Sequence, residues 1–229
     1  MTFHAELLPE TLPGEPLQLL ARWLEEATRG RVQPNPNAMV LATADAAGVP
    51  SARVVLCKDL RPDPGYVTFF SNYDSRKGRE LEANPRAAAV MHWDALRRQA
   101  RLEGRITRAS AAESEAYFAS RAWQSRLSAC ASRQSEPIGS RAAMEQAIEG
   151  AAHRYGAPSP LSCDATAADP GAPIPRPAWW GGYHLWIEAL ELWVEGAGRL
   201  HDRARWQRRL SPAGSGFQGG PWSATRLQP

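Results

Sequence analysis

Cysteine is scarce in this chain, with three residues in 229, namely Cys57, Cys130 and Cys163. Their number is odd and no two are spaced as C-x-x-C, which argues against a disulfide framework and a structural zinc site. The five histidines are scattered, without a pair at metal-ligand spacing. The sequence therefore predicts a protein of a reducing compartment, the cytoplasm, without a bound metal.

Long apolar runs and a strong excess of one charge are also lacking. The first ten residues have neither the basic start nor the apolar stretch of a signal peptide, and no run approaches the ~18 apolar residues of a membrane helix. The net charge is only +3, although the pI is near 9.0. Such a balance does not require nucleic acid as a partner. We expect no membrane and no nucleic acid.

Familiar catalytic signatures are missing or misleading. There is no Walker A sequence and no G-x-S-x-G elbow. The segment from Gly214 to Gly219 spells G-x-G-x-x-G, but a basic amphipathic strand precedes it and Pro221 follows, whereas a dinucleotide fingerprint opens a helix. We interpret it as a hairpin loop. Five arginines and a tryptophan between Arg199 and Arg209 favour a strand with a charged face over a nucleic-acid module.

The remaining pattern is a meander of strands interrupted by short helices. Hydrophobic residues make up 43%, enough for a core. Strands are predicted at 39–43, 53–57, 66–70, 87–93, 99–107, 183–193, 199–209 and 222–227. Helices are predicted from Pro16 to about Gly30, from Ser75 to about Asn84, from Ser110 to Arg121, at 124–131 and at 141–154. Without regular βαβ alternation, this order favours a mainly antiparallel barrel with attached helices.

The domain prediction is simple. Residues 1–15 are expected to form a flexible N-terminal arm, and residues 16–229 a single domain. Residues 156–178 are rich in Pro, Ala, Ser and Gly, which predicts a surface loop. In the first helix, one face is expected to be apolar and to carry Leu17, Leu20, Trp23, Leu24 and Ala27.

Several short motifs occur in a fixed order. Near the C-terminus, Trp180-Gly-Gly-Tyr183 precedes Trp193, which is followed six residues later by R-L-H-D-R from Arg199 to Arg203 and then by Trp222, Arg226-Leu227 and Pro229. Upstream lie R-V-V-L-C-K from Arg53 to Lys58, Ser71-Asn72 with Ser75-Arg76-Lys77, Arg98-Gln99, Tyr117-Phe118-x-x-Arg121 and Gln134-Ser135. This ordered set, from about Pro16 to Pro229, resembles the pyridoxamine 5'-phosphate oxidase family.

The resemblance implies a fold, a cofactor and a reaction. The fold would be a mainly β split barrel of antiparallel strands with peripheral helices, binding flavin mononucleotide (FMN) at the interface of a homodimer. Residues 179–229 would form the C-terminal dimerisation and substrate region. The reaction would convert pyridoxamine 5'-phosphate or pyridoxine 5'-phosphate to pyridoxal 5'-phosphate, with O2 as acceptor and H2O2 as product.

Residue roles follow from the same resemblance. The FMN contacts would be Arg53, Val54, Val55, Leu56, Phe70, Ser71, Arg76, Lys77, Gln99, Gln134, Ser135, Trp193 and Arg203, with Arg53 and Lys77 on its phosphate. The substrate phosphate would be bound by Lys58, Tyr117, Arg121 and Ser125, and the substrate ring by the catalytic Arg199 and His201.

Spacing gives some of these roles independent support. Tyr117 and Arg121 are four residues apart, which on a helix places them on one face, and Ser125 continues the line if the helix does not break. Arg199 and His201 are two apart, so on a strand they would project to one side. Read alone, Arg76 and Lys77 could equally decorate an exposed helix.

Departures from the family pattern leave alternatives open. No R-x-x-Y segment occurs in residues 1–15, and His184 and Trp186 stand where Arg and Pro are common. The alternatives are a related FMN-dependent oxidase of the phenazine-biosynthesis type, a non-catalytic flavin or pyridoxal-phosphate carrier, and a basic nucleic-acid-binding module.

Overall fold

A computed structural model describes residues 6–162 and 168–229 of the protein. Cys163, the first five residues of the predicted arm and part of the predicted loop 156–178 lie outside the described residues. The chain divides into two compact units. The sheet unit comprises the residues up to Phe69 together with Glu80–Thr107 and Tyr183–Pro229, and the helical unit comprises Phe70–Arg79 and Arg108–Gly182. That residues 16–229 act as one domain stays a prediction.

The described residues form five helices and eleven strands. The helices are α1 Pro16–Arg29, α2 Arg76–Ala83, α3 Ala111–Ala119, α4 Trp123–Ala131 and α5 Arg141–Tyr155. The strands are β1 Ala38–Ala44, β2 Pro50–Leu56, β3 Asp59–Arg61, β4 Tyr66–Asn72, β5 Arg86–Trp93, β6 Arg98–Arg108, β7 Trp180–Val194, β8 Asp202–Gln207, β9 Leu210–Ala213, β10 Gly216–Gly219 and β11 Ser223–Leu227. None of the described helices is both long and apolar enough to span a bilayer.

Helix α1 follows its sequence pattern closely. Pro16 occupies its first turn, where a missing N–H costs nothing, and the N–H of Gly30 closes its end on the carbonyl of Glu26. On the predicted apolar face, Leu17, Leu20, Trp23 and Ala27 are buried, while Leu24 is only half-buried. The helix therefore lies on the sheet unit through the stripe that its periodicity predicts.

The main sheet has the strand order β11-β8-β7-β6-β5-β1-β2, with β4 pairing both β3 and β7. The registers of β1 with β2 and β5, of β5 with β6, and of β8 with β7 and β11 are all antiparallel. Burial alternates along β6, as expected of a strand with one face on a core. The core side chains on these strands are fully buried and include Leu41, Phe69, Met91, Leu102 and Leu190.

The G-x-G-x-x-G segment lies in a hairpin, as predicted. Strands β9 and β10 pair antiparallel, and Gly214 at the turn has a φ of +56°, which favours glycine. Gly216 packs on the indole of Trp186, where an added Cβ would lie 2.1 Å from Cζ2. The glycines therefore serve a tight turn and close packing.

The described part of the N-terminal arm is bound to strands of the sheet unit. The Leu8 N–H donates to Oδ2 of Asp202 at 2.8 Å, and the Arg226 guanidinium donates to Oδ1 of Asp202 at 2.6 Å and to the Pro9 carbonyl at 2.8 Å. We call these groups, from Leu8, Pro9, Asp202 and Arg226, the clasp. It joins residues 217 positions apart in the chain.

Gly104 on β6 offers a stability prediction. An added Cβ would lie 1.8 Å from the carbonyl oxygen of Trp186, a backbone atom that has no freedom to turn aside. We expect Gly104→Ala to lower the free energy of unfolding by about 3 kcal/mol, because strands β6 and β7 must separate to accept the methyl group. Urea denaturation of the purified variant measures this loss.

Gly150 in α5 provides the matched control, since nothing lies within 4 Å of its added Cβ. Gly150→Ala should raise the free energy of unfolding by about 1 kcal/mol through helix propensity. If Gly104→Ala were as stable as the unmodified protein, the close approach of the two strands would be contradicted.

Candidate active site

Arg53 on β2 is held by a polar cluster of the sheet unit. Its guanidinium donates to the hydroxyls of Thr43 and Ser51 and forms an ion pair with Glu80 at 3.2 Å. The Glu80 side chain is only 5% exposed and also accepts hydrogen bonds from Thr43 and Ser51. The predicted phosphate ligand is thus rigid, and a buried carboxylate compensates part of its charge.

Beyond Arg53, the R-V-V-L-C-K motif contributes both exposed and buried groups. Val54 is 65% exposed, Val55 and Leu56 are half-buried, and the Lys58 side chain is exposed. The Lys58 backbone is fixed, because its N–H donates to the Thr68 carbonyl at 2.8 Å. Cys57 is buried, and burial raises the pKa of its thiol to about 12, so it stays protonated at neutral pH. Lys58 and Cys57 border a cavity of about 600 Å³.

Strands β7 and β8 bring three predicted site residues together. Trp193 and Arg203 are partners in the β7–β8 register, and the rings of Trp193 and His201 lie 4.8 Å apart. Two N–H groups of Arg203, Nε and Nη2, donate to the same oxygen of Glu191, Oε1, at 3.1 and 2.8 Å. Glu191 is 3% exposed and also bonds Arg101 at 3.2 Å. Gln99 is half-buried on β6, opposite His92 of β5.

The expectation that Arg199 and His201 project from one face of a strand is wrong. Residues Ala197–Arg199 form a 3-10 turn, Gly198 and Arg199 have φ values of +61° and +64°, and β8 begins only at Asp202. The chain doubles back so tightly that an added Cβ on Gly196 would lie 1.8 Å from the Leu200 carbonyl oxygen. The Gly196 N–H donates to Nδ1 of His201 at 3.3 Å, which orients the imidazole.

The positive φ of Arg199 is itself informative. A non-glycine residue in this region is uncommon, and such residues cluster at functional sites. Four described non-glycine residues have a positive φ, and two of them, Ser135 and Arg199, are predicted site residues. The others are Arg31 and Arg97.

In the helical unit, Lys77 lies at the centre of a polar cradle. Its ammonium donates to Ser71 Oγ at 3.0 Å, to Ser75 Oγ at 3.2 Å and to Gln134 Oε1 at 2.6 Å, and the residue is 8% exposed. Ser75 caps α2 as predicted, accepting the Gly78 N–H at 3.3 Å. Arg76 beside it is exposed. Of these two basic residues, Lys77 is therefore buried and Arg76 is exposed.

The proposed substrate-phosphate residues of this unit do not share one helix. Helix α3 ends at Ala119, and the Ser120 hydroxyl donates to the Tyr117 carbonyl, one of the last carbonyls of the helix, at 2.8 Å. Arg121 therefore lies in the connection to α4, which carries Ser125. The prediction that the helix continues through Arg121 is wrong, although Tyr117 and Arg121 both lie against the ring of Trp180.

Arg121 and Ser125 nevertheless meet at one cavity of about 340 Å³. We call it the Arg121 cavity; Gln124, Ser128, Gln134 and Trp180 also line it. Burial lowers the pKa of Arg121 from its usual value, yet the group stays cationic at neutral pH. Its buried Nη1 has no hydrogen-bond partner among the described residues. A cation with an unused donor at a polar cavity is suited to an anionic ligand.

Tyr117 lies in an aromatic stack of the same unit. Its ring stacks on Phe70 with centroids 3.9 Å apart and an interplanar angle of 17°. Trp180 lies almost parallel to both rings. Phe70, a predicted flavin contact, and Tyr117, a predicted phosphate ligand, are thus in direct contact.

Some lining residues escaped the sequence analysis. Gln124 and Ser128 are four apart on α4, on the same side as Ser125, so their helical spacing was the available signal. Glu80 carried no such signal, because an acidic residue in a charged helix resembles an exposed one. Among the described residues, no group of three or more His, Cys, Asp or Glu side chains is arranged to hold a metal ion.

Comparisons with known proteins show which family the chain resembles. Residues 24–155 match the family model described as pyridoxamine 5'-phosphate oxidase, and residues 180–229 match the pyridoxine 5'-phosphate oxidase C-terminal dimerisation region. A relative from Gluconobacter oxydans, named pyridoxine/pyridoxamine 5'-phosphate oxidase, is 43% identical over 219 residues, covering 95% of this chain and 96% of its own.

Solved structures extend the likeness to the fold. PhzG from Burkholderia lata, in complex with tetrahydrophenazine-1-carboxylic acid, superposes with a TM-score of 0.79 at 29% identity, covering 98% of each chain. A pyridoxamine 5'-phosphate oxidase-related, FMN binding protein from Nostoc punctiforme has a TM-score of 0.69 at 16% identity, covering 96% of this chain and all of that one. The predicted class, a mainly antiparallel split-barrel fold with attached helices, is confirmed.

The family model covers more than half of the chain, and the relative from Gluconobacter oxydans is similar over nearly the full length of both chains. The chain therefore belongs to the pyridoxamine 5'-phosphate oxidase family.

Proposed function

We propose that the protein is an FMN-dependent oxidase that converts pyridoxamine 5'-phosphate or pyridoxine 5'-phosphate to pyridoxal 5'-phosphate, with O2 as acceptor and H2O2 as product. The observation that carries the substrate class is the Arg121 cavity. There the half-buried Arg121 and Ser125 line the same space, and Nη1 of Arg121 has no hydrogen-bond partner among the described residues. This combination suits a phosphate group.

The residues of the helical unit also fit the phosphate of FMN. The Lys77 ammonium is buried among the oxygens of Ser71, Ser75 and Gln134, at the start of helix α2. A buried cation beside the N–H groups of a helix N-terminus is a common setting for a phosphate. Arg53, with Ser71 and Arg76, would complete the phosphate contacts.

The remaining flavin contacts are assigned to groups with different tasks. Backbone and side chains of Val54, Val55 and Leu56, with Phe70 and Trp193, would pack against the flavin. Polar side chains would bond to it, namely Gln99, Gln134, Ser135 and Arg203. The pairing of Arg203 with Glu191 holds the guanidinium in one orientation. Bound FMN supplies a two-electron acceptor that O2 reoxidises.

The protein's own part in the reaction is positioning and electrostatics. Lys58, Tyr117, Arg121 and Ser125 would bind the substrate phosphate. Arg199 would orient the substrate ring and stabilise negative charge on its oxygen, while His201, oriented by the Gly196 N–H, would hold the ring. With the amine substrate, water hydrolyses the resulting imine, so that ammonia leaves and the aldehyde remains.

A homodimer is part of the proposal. The sheet unit exposes an apolar strip on β1, β2 and β5, where Val40 is 44% and Val54 65% exposed. Val40 pairs with Val54 on one side and Val90 on the other, so the strip is continuous. A second copy would cover this strip. Residues 180–229 separately match a C-terminal dimerisation region, which also supports a homodimer.

The rival is an oxidase of the same fold with another substrate, favoured by the TM-score of 0.79 to PhzG in complex with tetrahydrophenazine-1-carboxylic acid. A non-catalytic flavin or pyridoxal-phosphate carrier is a third reading. Both rivals predict no dependence of turnover on a substrate phosphate. The Arg121 cavity, which is lined by the cationic Arg121 and by Ser125, favours the phosphorylated substrate.

The test is to purify the protein, record its visible spectrum and add pyridoxine 5'-phosphate or pyridoxine in air. We expect a flavin spectrum, with pyridoxine 5'-phosphate oxidised to pyridoxal 5'-phosphate and H2O2 formed at least 100-fold more efficiently than pyridoxine is oxidised to pyridoxal. A flavin spectrum with equal, negligible turnover of both would contradict the proposal and favour the rival oxidase or the carrier.

A further inference from the structure

Trp180 begins the W-G-G-Y motif and lies in the helical unit beside the Arg121 cavity. The residue is 6% exposed, and its ring lies nearly parallel to those of Phe70 and Tyr117, with interplanar angles of 12° and 6°. Its centroid is 5.6 Å from that of Phe70 and 6.2 Å from that of Tyr117. An indole in such a stack has little rotational freedom.

The Arg121 guanidinium lies over this indole. Its Cζ is 4.7 Å from the Trp180 ring centroid, closer than its 5.5 Å approach to Phe118. Arginine stacks well on aromatic faces, and the attraction strengthens when both groups are shielded from water. A cation–π contact of this kind uses none of the guanidinium's N–H donors, and the buried Nη1 is without a hydrogen-bond partner among the described residues.

The two glycines after Trp180 explain how the indole is fixed. A Cβ on Gly181 would lie 2.0 Å from the Tyr73 hydroxyl, and one on Gly182 would lie 2.8 Å from Ala109 and 2.9 Å from Phe70. The backbone is therefore packed against its neighbours at both positions. The Trp180 N–H also donates to the Pro177 carbonyl at 3.0 Å, and its own carbonyl accepts from Arg176 at 2.6 Å.

We propose that Trp180 is a positioning residue for the substrate phosphate: its indole holds the Arg121 guanidinium with the N–H edge toward the cavity. This inference rests on the proposed function, in which Arg121 binds that phosphate. It adds a role for a tryptophan that does not itself contact the phosphate. A tryptophan that served only the core would affect stability without discriminating phosphorylated from unphosphorylated ligands.

The readout is the ratio of two affinities, for pyridoxal 5'-phosphate and for pyridoxal, measured by titration of the flavin-loaded protein without turnover. This ratio isolates what the phosphate contributes to binding. We expect Trp180→Leu to lower it about tenfold, because the guanidinium loses its platform, and Trp180→Phe to lower it about threefold, because a smaller ring keeps part of the attraction.

Trp179 is the matched control. It is the preceding tryptophan, is 40% exposed, and its indole N–H reaches only the Ala129 carbonyl at 3.4 Å. Trp179→Leu should leave the ratio unchanged. In the double variant Arg121→Lys with Trp180→Leu, the ratio should fall no further than in Arg121→Lys alone, because Trp180 acts through Arg121.

The outcomes separate the two hypotheses. If Arg121→Lys leaves the affinity ratio unchanged, the proposed phosphate site is wrong. If Arg121→Lys lowers the ratio but Trp180→Leu does not, the phosphate site stands and the role of Trp180 is overturned. Additive losses in the double variant would likewise overturn it. If Trp180→Leu fails to fold, Trp180→Phe provides the test. A threefold fall in the affinity ratio supports the inference, and an unchanged ratio overturns it.

Discussion

Arg199→Ala is expected to keep its FMN and lose turnover by a factor of about 10² to 10³. In the proposed mechanism this guanidinium stabilises charge that develops on the substrate ring, and removing one such preorganised donor has an effect of that size in other enzymes. Its exposed position in a 3-10 turn means that truncation removes no core packing. Steady-state rates with pyridoxine 5'-phosphate and a flavin titration of the apoprotein measure the two quantities.

Arg97 is a matched control for the effect of the left-handed backbone conformation. It is also an exposed arginine with positive φ, at +54°, but it lies outside the predicted site. Arg97→Ala should leave turnover within twofold of the unmodified protein. Equal effects of the two substitutions would mean that the loss at Arg199 comes from the left-handed turn, and the catalytic role would be abandoned.

The second large effect is expected at Lys77. Lys77→Met keeps the length of the side chain and removes its charge, so the proposed FMN phosphate would lose a buried, charge-assisted contact. We expect the dissociation constant of FMN to rise about 100-fold, equivalent to about 2.7 kcal/mol. Fluorescence titration of the apoprotein with FMN measures it. The dissociation constant of riboflavin, which has no phosphate, should change less than threefold.

Arg79 is the control for Lys77, since it is a cation of the same helix that is exposed and paired with Glu136 at 3.9 Å. Arg79→Met should change neither affinity by more than twofold. If Lys77→Met lowered the affinities for riboflavin and FMN equally, the substitution would have disrupted the whole binding site. The assignment of Lys77 to the FMN phosphate would then be wrong.

Local signals in the sequence predicted most of the elements. Ser75 and Ser110 cap helices because their hydroxyls accept backbone N–H groups three residues on, an interaction within one turn of chain. The stripe from Leu17 to Ala27 likewise depends only on helical periodicity. Strands β3, β9 and β10 were not predicted, because segments of three or four residues are too short to show a periodic pattern.

The sequence predicted which residues form the candidate site better than it predicted their positions in the fold. The ordered motifs gave the residue types, but Arg199 and Arg121 both lie outside the regular element in which spacing placed them. A local feature accompanies each departure: a tight turn at Gly196 and Gly198 before the strand, and the end of α3 at Ala119, where the Ser120 hydroxyl bonds the Tyr117 carbonyl. The ion pair of Arg53 with Glu80 joins residues 27 positions apart, a distance at which sequence spacing carries no information.

The clasp has a consequence for how the protein is made. Arg226 is synthesised more than 200 residues after Pro9, so the two meet only when nearly the whole described chain has left the ribosome. Closing so long a loop carries a large entropic cost, which must be met by contacts formed earlier in the sheet. Asp202, between His201 and Arg203, is bound by both ends of this loop. Asp202 can therefore complete its hydrogen bonds in the clasp only after Arg226 has been synthesised.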